Sequence, residues 1–170
     1  MNRFLHIVIF TFLLSPAFGQ NKKALIVAIS DYPKASGFRG INSNNDIPII
    51  QSALIKLGFS EKNISIIKNE GATKKLILNA LQNDFLKTLN IGDIAYFHFS
   101  GHGQQVQDLN ADELDGYDEA LVPFDASSDF IPGVYEGENH ITDDELNLAY
   151  NKIRTKLGPK GHFMLTIYSC

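Results

Sequence analysis

Apolar residues along the chain fall into two kinds of pattern, unbroken runs and sets spaced like a helix face. Lys23 to Ile29 (Lys-Ala-Leu-Ile-Val-Ala-Ile), Ile94 to Phe99 and His162 to Tyr168 are runs of strand length, the pattern of parallel strands covered on both faces. Asn63 to Ile67 is a shorter strand of the same kind, and Tyr117 to Phe124 reads as a short irregular one. Between them, Ile47, Ile50, Leu54 and Leu57 repeat at helical spacing, with Ser43 or Asn44 as the cap, Gly58 as the stop and Phe59 placed to fold back. Leu76, Ile77, Ala80, Leu81 and Phe85 form a second apolar face behind Thr73. Leu146, Ala149, Ile153 and Leu157 form a third, behind Thr142-Asp143-Asp144-Glu145, where Thr at the cap and Glu three residues on make a capping box. Gly158-Pro159 closes that helix. The polar, acidic stretch from Gln104 to Gly116 reads as loop, as does most of the chain from Phe124 to Thr142. Strands alternating with helices predict a mostly parallel α/β sheet with helices on both faces.

Two of the predicted strands end on reactive groups. The run Ile94 to Phe99 leads into Ser100-Gly101-His102-Gly103, so His102 sits in a glycine-flanked turn where unusual backbone angles are tolerated. The run from His162 delivers Ser169 and Cys170, the single cysteine. In an open parallel sheet, reacting groups gather beyond the carboxyl ends of the strands, so His102 and Cys170 are expected to meet. A thiolate is the nucleophile of such a pair, and the imidazole takes its proton or stabilises its charge. His98 lies about 13 Å from His102 along a strand at roughly 3.3 Å per residue, too far for a shared metal. His6, within the first 19 residues, and His140 and His162, which have no partner pattern, are read as structural.

Composition narrows the classes. The 170 residues are 44% hydrophobic and 20% charged, enough for one domain with a proper core. The formal net charge is −4, from 19 acidic against 15 basic side chains, and no Lys/Arg cluster offers a footprint for nucleic acid. Residues 1–19 stand apart. Arg3, the apolar run Phe4 to Leu14 and the small residues of Ala17-Phe18-Gly19 read as a secretory signal peptide, too short for a comfortable bilayer span. The mature chain is then expected to have no membrane span and to be exported, periplasmic or extracellular. With one cysteine it holds no internal disulfide.

The order of short stretches resembles the caspase-like cysteine peptidases of the peptidase C14 family, of the bacterial metacaspase or orthocaspase type. The stretches are Ala28-Ile29-Ser30-Asp31-Tyr32, Asn45-Asp46, Lys56-Leu57-Gly58-Phe59, Phe97 to Gln105, Asp115 to Asp125, Ile141 to Leu146 and Ser169-Cys170. The resemblance implies a caspase-like three-layer α/β fold over residues 22–170, with its C-terminal part missing because such domains continue past the nucleophile. It implies His102 and Cys170 as catalytic residues, a backbone N–H of Gly103 at the oxyanion, and a polypeptide substrate cut after a basic residue held by Asp46. The family's second pocket acid corresponds to Tyr168, a departure from basic specificity. Asp46 reads equally as a first-turn helix acid that complements the dipole. The resemblance also implies calcium, with Asp143, Asp144 and Asp118 as ligands, although Asp143 and Asp144 equally suit the first turn of a helix. Two other functions fit the residues: a non-catalytic caspase-fold binding module, to which a missing C-terminal portion or a partner subunit would add, and a hydrolase that uses the acidic clusters with a metal.

Overall fold

The computed structural model describes residues 20–108 and 113–169. Its centre is a four-stranded, wholly parallel sheet in the order β2-β1-β3-β7, built from β1 (Lys22–Ala28), β2 (Ile64–Lys68), β3 (Ile94–Ser100) and β7 (His162–Tyr168). A smaller antiparallel sheet, β4-β5-β6, is built from β4 (Gly103–Gln107), β5 (Tyr117–Leu121) and β6 (Ile141–Thr142), and it begins directly after the His102 turn.

Alternation along β1 assigns its side chains to two cores. Leu25 and Val27 pack with Ile77, Leu81, Phe85, Phe97, Phe99, Leu146, Ala149 and Ile153, under α2 (Lys74–Asn79), α3 (Leu86–Thr88) and α4 (Asp143–Leu157). Ala24 and Ile26 pack with Leu54, Phe59 and Tyr96 under α1 (Asp46–Lys56). Helices therefore cover both faces, as the alternation of runs and spaced sets predicts.

Local signals hold at most boundaries. Gly58 adopts a left-handed φ of 85°, and Phe59 N–H returns to the Leu54 carbonyl at 3.0 Å, so the phenyl ring folds into the smaller core. The Thr142 hydroxyl accepts from Glu145 N–H and the Glu145 carboxylate from Thr142 N–H, the reciprocal bonds of the capping box. Thr73 caps α2 through Leu76 N–H.

Other expectations change. Ser43 and Asn44 lie in a 3₁₀ turn ahead of α1, whose N-terminus has no side-chain cap. Leu57 is 60% exposed because it is the C-cap residue, past the turn whose Leu54 enters the core. Leu76 also faces outward, and Ile77 takes the inward position. The helix from Lys74 widens into a π-helical segment, Ala80–Phe85, before α3, and Leu81 and Phe85 are both buried along it. β4 was expected to be loop: Gly-Gln-Gln-Val-Gln carries one apolar residue, and its conformation follows from backbone pairing with β5.

Candidate active site

The turn after β3 is built for closeness. Ser100 is fully buried and aligned with Tyr168 of β7, and Gly101 N–H donates to the Tyr168 carbonyl at 3.2 Å. The ends of β3 and β7 are thus tied side by side, which places the His102 turn against Ser169. Gly101 and Gly103 do not use the left-handed backbone that their flanking of His102 suggests. Their requirement is space. A Cβ at Gly101 would lie 2.8 Å from Phe99 Cζ and 2.9 Å from the Tyr32 hydroxyl, and one at Gly103 would lie 3.2 Å from Ser169 Oγ.

His102 is held by the loop that follows β1. Its Nε2 lies 2.8 Å from the Arg39 carbonyl, which can only accept, so Nε2 carries the proton and Nδ1 is the basic nitrogen of the neutral ring. The Phe38 ring stacks on the imidazole at 5.3 Å between centroids, and the Tyr32 ring tilts against it at 5.0 Å. This loop is itself pinned: Ser128 N–H donates to the Ser36 carbonyl at 2.7 Å, Ile41 N–H to the Ser30 carbonyl at 2.9 Å, and Asn44 N–H to Ser30 Oγ at 2.7 Å. Gly37 allows the approach, with a φ of 77° and a Cβ position that falls on the Ser128 hydroxyl. Arg39, Phe38 and Tyr32 have no signal of chemistry in the sequence, because a backbone carbonyl and two ring faces leave no motif.

Gly103 opens β4 opposite Leu121. Val122 N–H donates to the His102 carbonyl at 3.0 Å, which makes His102 and Val122 a closely spaced pair of the antiparallel ladder. Pairs alternate along such a ladder, so the next one, Gly103 with Leu121, is not hydrogen bonded and the Gly103 N–H is directed away from β5.

A cavity of about 490 Å³ lies beside the imidazole, lined by Arg39, Asp46, Gly101, His102, Tyr168 and Ser169 among others. The structure therefore brings His102 together with Asp46 and Tyr168, three positions singled out in the sequence. Asp46 is the first residue of α1, and its carboxylate accepts a 2.6 Å hydrogen bond from Ser100 Oγ, so it is both a first-turn acid and a wall of this cavity. Tyr168 is 74% exposed in the position of the second pocket acid. Cys170 follows Ser169 and lies outside the described residues, as does the stretch 1–19 read from the sequence as a signal peptide.

The other described histidines have different surroundings. His98 is buried with Nδ1 2.7 Å from Thr166 Oγ1, and burial holds its pKa below the ordinary range, partly offset by the charge of Asp46. His140 is buried between Gln104 Oε1, 3.0 Å from Nε2, and the Tyr135 hydroxyl, 3.3 Å from Nδ1. Its pKa is lowered by burial, with a smaller rise from a backbone hydrogen bond at Gly137. His162 is exposed at the start of β7.

The acids assigned to calcium separate. Asp118 and Asp144 line one cavity of about 620 Å³, with Glu136, Glu138 and Glu145, while Asp143 lines another beside Gly103, Glu119 and Ile167. Glu145 is already committed to the capping box and to a 2.8 Å ion pair with Lys74. Among the described residues no three carboxylate, imidazole or thiol groups converge as a metal site. The three acids as a set do not fit one calcium ion in this arrangement.

A four-stranded parallel sheet flanked by helices, with the histidine turn on one strand end and Ser169 on its neighbour, is a caspase-like α/β fold. The model of the metacaspase, peptidase C14 domain matches residues 22–170, and the chain belongs to that family. It is 32% identical over 134 residues to metacaspase-1 of Eremothecium gossypii, covering 75% of this chain and 27% of that protein. It is 33% identical over 144 residues to metacaspase-1 of Meyerozyma guilliermondii, covering 81% and 32%. The crystal structure of a Geobacter sulfurreducens protein is also similar, with a TM-score of 0.66 at 25% identity, covering 88% of this chain and 50% of that one. The chain thus spans about a third or less of the length of these curated relatives. Among the described residues no helix is long and apolar enough to cross a membrane.

Proposed function

We propose that the protein is a cysteine endopeptidase in which Cys170 and His102 form the catalytic pair. His102 Nδ1 takes the thiol proton, and the thiolate sulfur bonds to the carbonyl carbon of a peptide. The carbonyl oxygen becomes an oxyanion facing the Gly103 N–H, a type of donor whose removal costs about 3–4 kcal/mol in related chemistry. The C–N bond then breaks, and the imidazolium returns its proton to the leaving amine. Water attacks the resulting thioester, again giving a proton to Nδ1, and the acid product leaves as Cys170 is regenerated.

The observation that carries this reading is the pairing of the two strand ends, with Gly101 N–H on the Tyr168 carbonyl and the Gly103 Cβ site against Ser169. It brings Ser169, the residue before Cys170 in the chain, beside the histidine turn, and the tautomer of that imidazole is suited to act as base. Asp46 at the cavity wall supports a basic residue before the cleaved bond, and Tyr168 in place of a second carboxylate weakens that preference. Export by residues 1–19 is part of the same proposal.

The test is cleavage of a mixed fluorogenic peptide library by the full-length protein. His102→Ala and Cys170→Ala are expected to abolish turnover, and Asp46→Ala to reduce selection of Arg and Lys. Turnover that survives Cys170→Ala contradicts the thiol mechanism, and an unchanged cleavage preference in Asp46→Ala removes that acid from the pocket. A protein that binds these peptides and cleaves none is instead a binding module, the reading that the Tyr168 substitution favours.

A further inference from the structure

Between His102 and Val122 the antiparallel ladder is interrupted by a side chain. Val122 N–H reaches the His102 carbonyl directly at 3.0 Å. The reciprocal bond of a closely spaced pair would run from His102 N–H to the Val122 carbonyl. In its place His102 N–H donates to the Tyr32 hydroxyl at 3.0 Å, and that hydroxyl donates to the Val122 carbonyl at 3.0 Å. One phenol oxygen thus stands in the first rung, opening it on the side of the histidine backbone.

We infer that Tyr32 is a positioning residue for His102, a wedge that fixes the backbone and ring of the histidine from the opposite loop. This rests on the assignment of His102 as the catalytic base. Tyr32 is only 9% exposed, and burial pushes its hydroxyl up to about 12, so it stays a phenol that can both accept from His102 and donate to Val122. The same side chain presents its ring to the imidazole, and its hydroxyl, together with the Phe99 ring, leaves no room for a Cβ at Gly101. Phe38 adds to the support as the third member of a ring cluster, 5.6 Å from Tyr32 and 5.3 Å from His102 between centroids. Without the hydroxyl, either the rung closes directly, drawing the His102 backbone toward Val122, or a buried N–H and carbonyl are left unpaired. Either change moves the imidazole relative to the Arg39 carbonyl that fixes its tautomer.

The experiment compares wild type, Tyr32→Phe, Phe38→Leu and His102→Ala. Tautomer populations come from the imidazole ¹⁵N and ¹³C shifts of His102 in the intact chain, the His102 amide from hydrogen exchange, and kcat and KM from peptide hydrolysis by the full-length protein. In Tyr32→Phe, the Nε2–H tautomer is expected to give way to a mixture. The His102 amide exchange rate should change while the rest of β3 keeps its own, and kcat should fall about tenfold with KM within about twofold, as for a misplaced but intact base. Phe38→Leu, which leaves the hydroxyl bridge intact, should disturb the tautomer without altering the amide. An unchanged tautomer and unchanged kcat in Tyr32→Phe, with His102→Ala inactive, overturn the role of Tyr32 and leave the catalytic assignment standing. An active His102→Ala overturns both. A lowered melting temperature in Tyr32→Phe with wild-type kcat and tautomer marks the wedge as merely structural and also overturns the inference.

Discussion

β3 and β7 are neighbours in one sheet, seven residues each, aligned along their whole length, and each leads to a group assigned to catalysis. Their surroundings are opposite. From Ala95 to Ser100 every residue of β3 is buried, with Phe97 and Phe99 among the largest fully enclosed side chains. In β7 only Phe163 is half-buried, and Met164, Leu165, Ile167 and Tyr168 are exposed. Among the described residues β3 is paired on both sides and β7 on one. His102 is consequently held by a rigid strand, a pinned loop and two rings, while the strand that leads to Cys170 is fixed mainly by its pairing to β3. The histidine turn is thus preorganised by buried residues, and the end of β7 at Ser169 is tied to it by backbone hydrogen bonds of the β3 edge.

Substitutions can break that comparison. The largest effect is expected for Phe97→Ala, about 3–5 kcal/mol of lost stability from the vacated volume, against about 1 kcal/mol for Leu165→Ala on the exposed strand. Urea denaturation of the two variants checks this, and equal losses would show that β7 is packed as tightly as β3. Next is Gly101→Ala, whose Cβ would meet Phe99 and Tyr32 within 3 Å, for a loss of about 1–3 kcal/mol. Gly116→Ala, where a Cβ meets nothing within 4 Å, should suffer only the penalty of its left-handed φ of 78°. Thermal melts of the two should therefore differ in favour of Gly116→Ala.

A smaller effect concerns acid. His98 of β3 and His140 behind β4 both have folded pKa values lowered by burial. A folded value below the unfolded one, near 6.5, means that their contribution is complete above about pH 6.5 and is lost as the pH falls through the lowered folded values. Each histidine then contributes at most about 1.4 kcal/mol per pH unit of separation between the two values. Melting temperature should therefore decline from pH 7 to pH 5. A His98→Gln, His140→Gln pair that declines as steeply as wild type would assign the acid sensitivity elsewhere.

The comparison also explains what was legible in the sequence. Unbroken apolar runs announced β1, β3 and β7, and helical spacing with a capping box announced α4, because burial on two faces or along one stripe writes a period into the residues. The exposure of β7 was not legible, since its run is as apolar as that of β3 and periodicity does not say what lies against a strand. β4 was missed because pairing through the backbone needs no apolar residue, and the π-helical segment because it keeps the same spacing of apolar positions within about one residue. In the site, His102, Asp46 and Tyr168 were found from short motifs and do share a cavity. Arg39, Phe38 and Tyr32 were not, because what they contribute is a carbonyl, a ring face and a hydroxyl whose roles depend on the course of one loop. The calcium acids failed to converge for a related reason: Asp143 and Asp144 are adjacent in the first turn of α4, and adjacent residues on a helix point about 100° apart.

The central claim is that Cys170 reacts as a thiolate governed by His102. Its most direct test is the rate of Cys170 alkylation by iodoacetamide at pH 7, in wild type and in His102→Ala, with the adduct located by mass spectrometry and residual peptide hydrolysis followed in the same samples. The account predicts alkylation at least about tenfold slower in His102→Ala, and hydrolysis by wild type that falls in proportion to the fraction of Cys170 modified. Hydrolysis that persists when Cys170 is fully alkylated would contradict it.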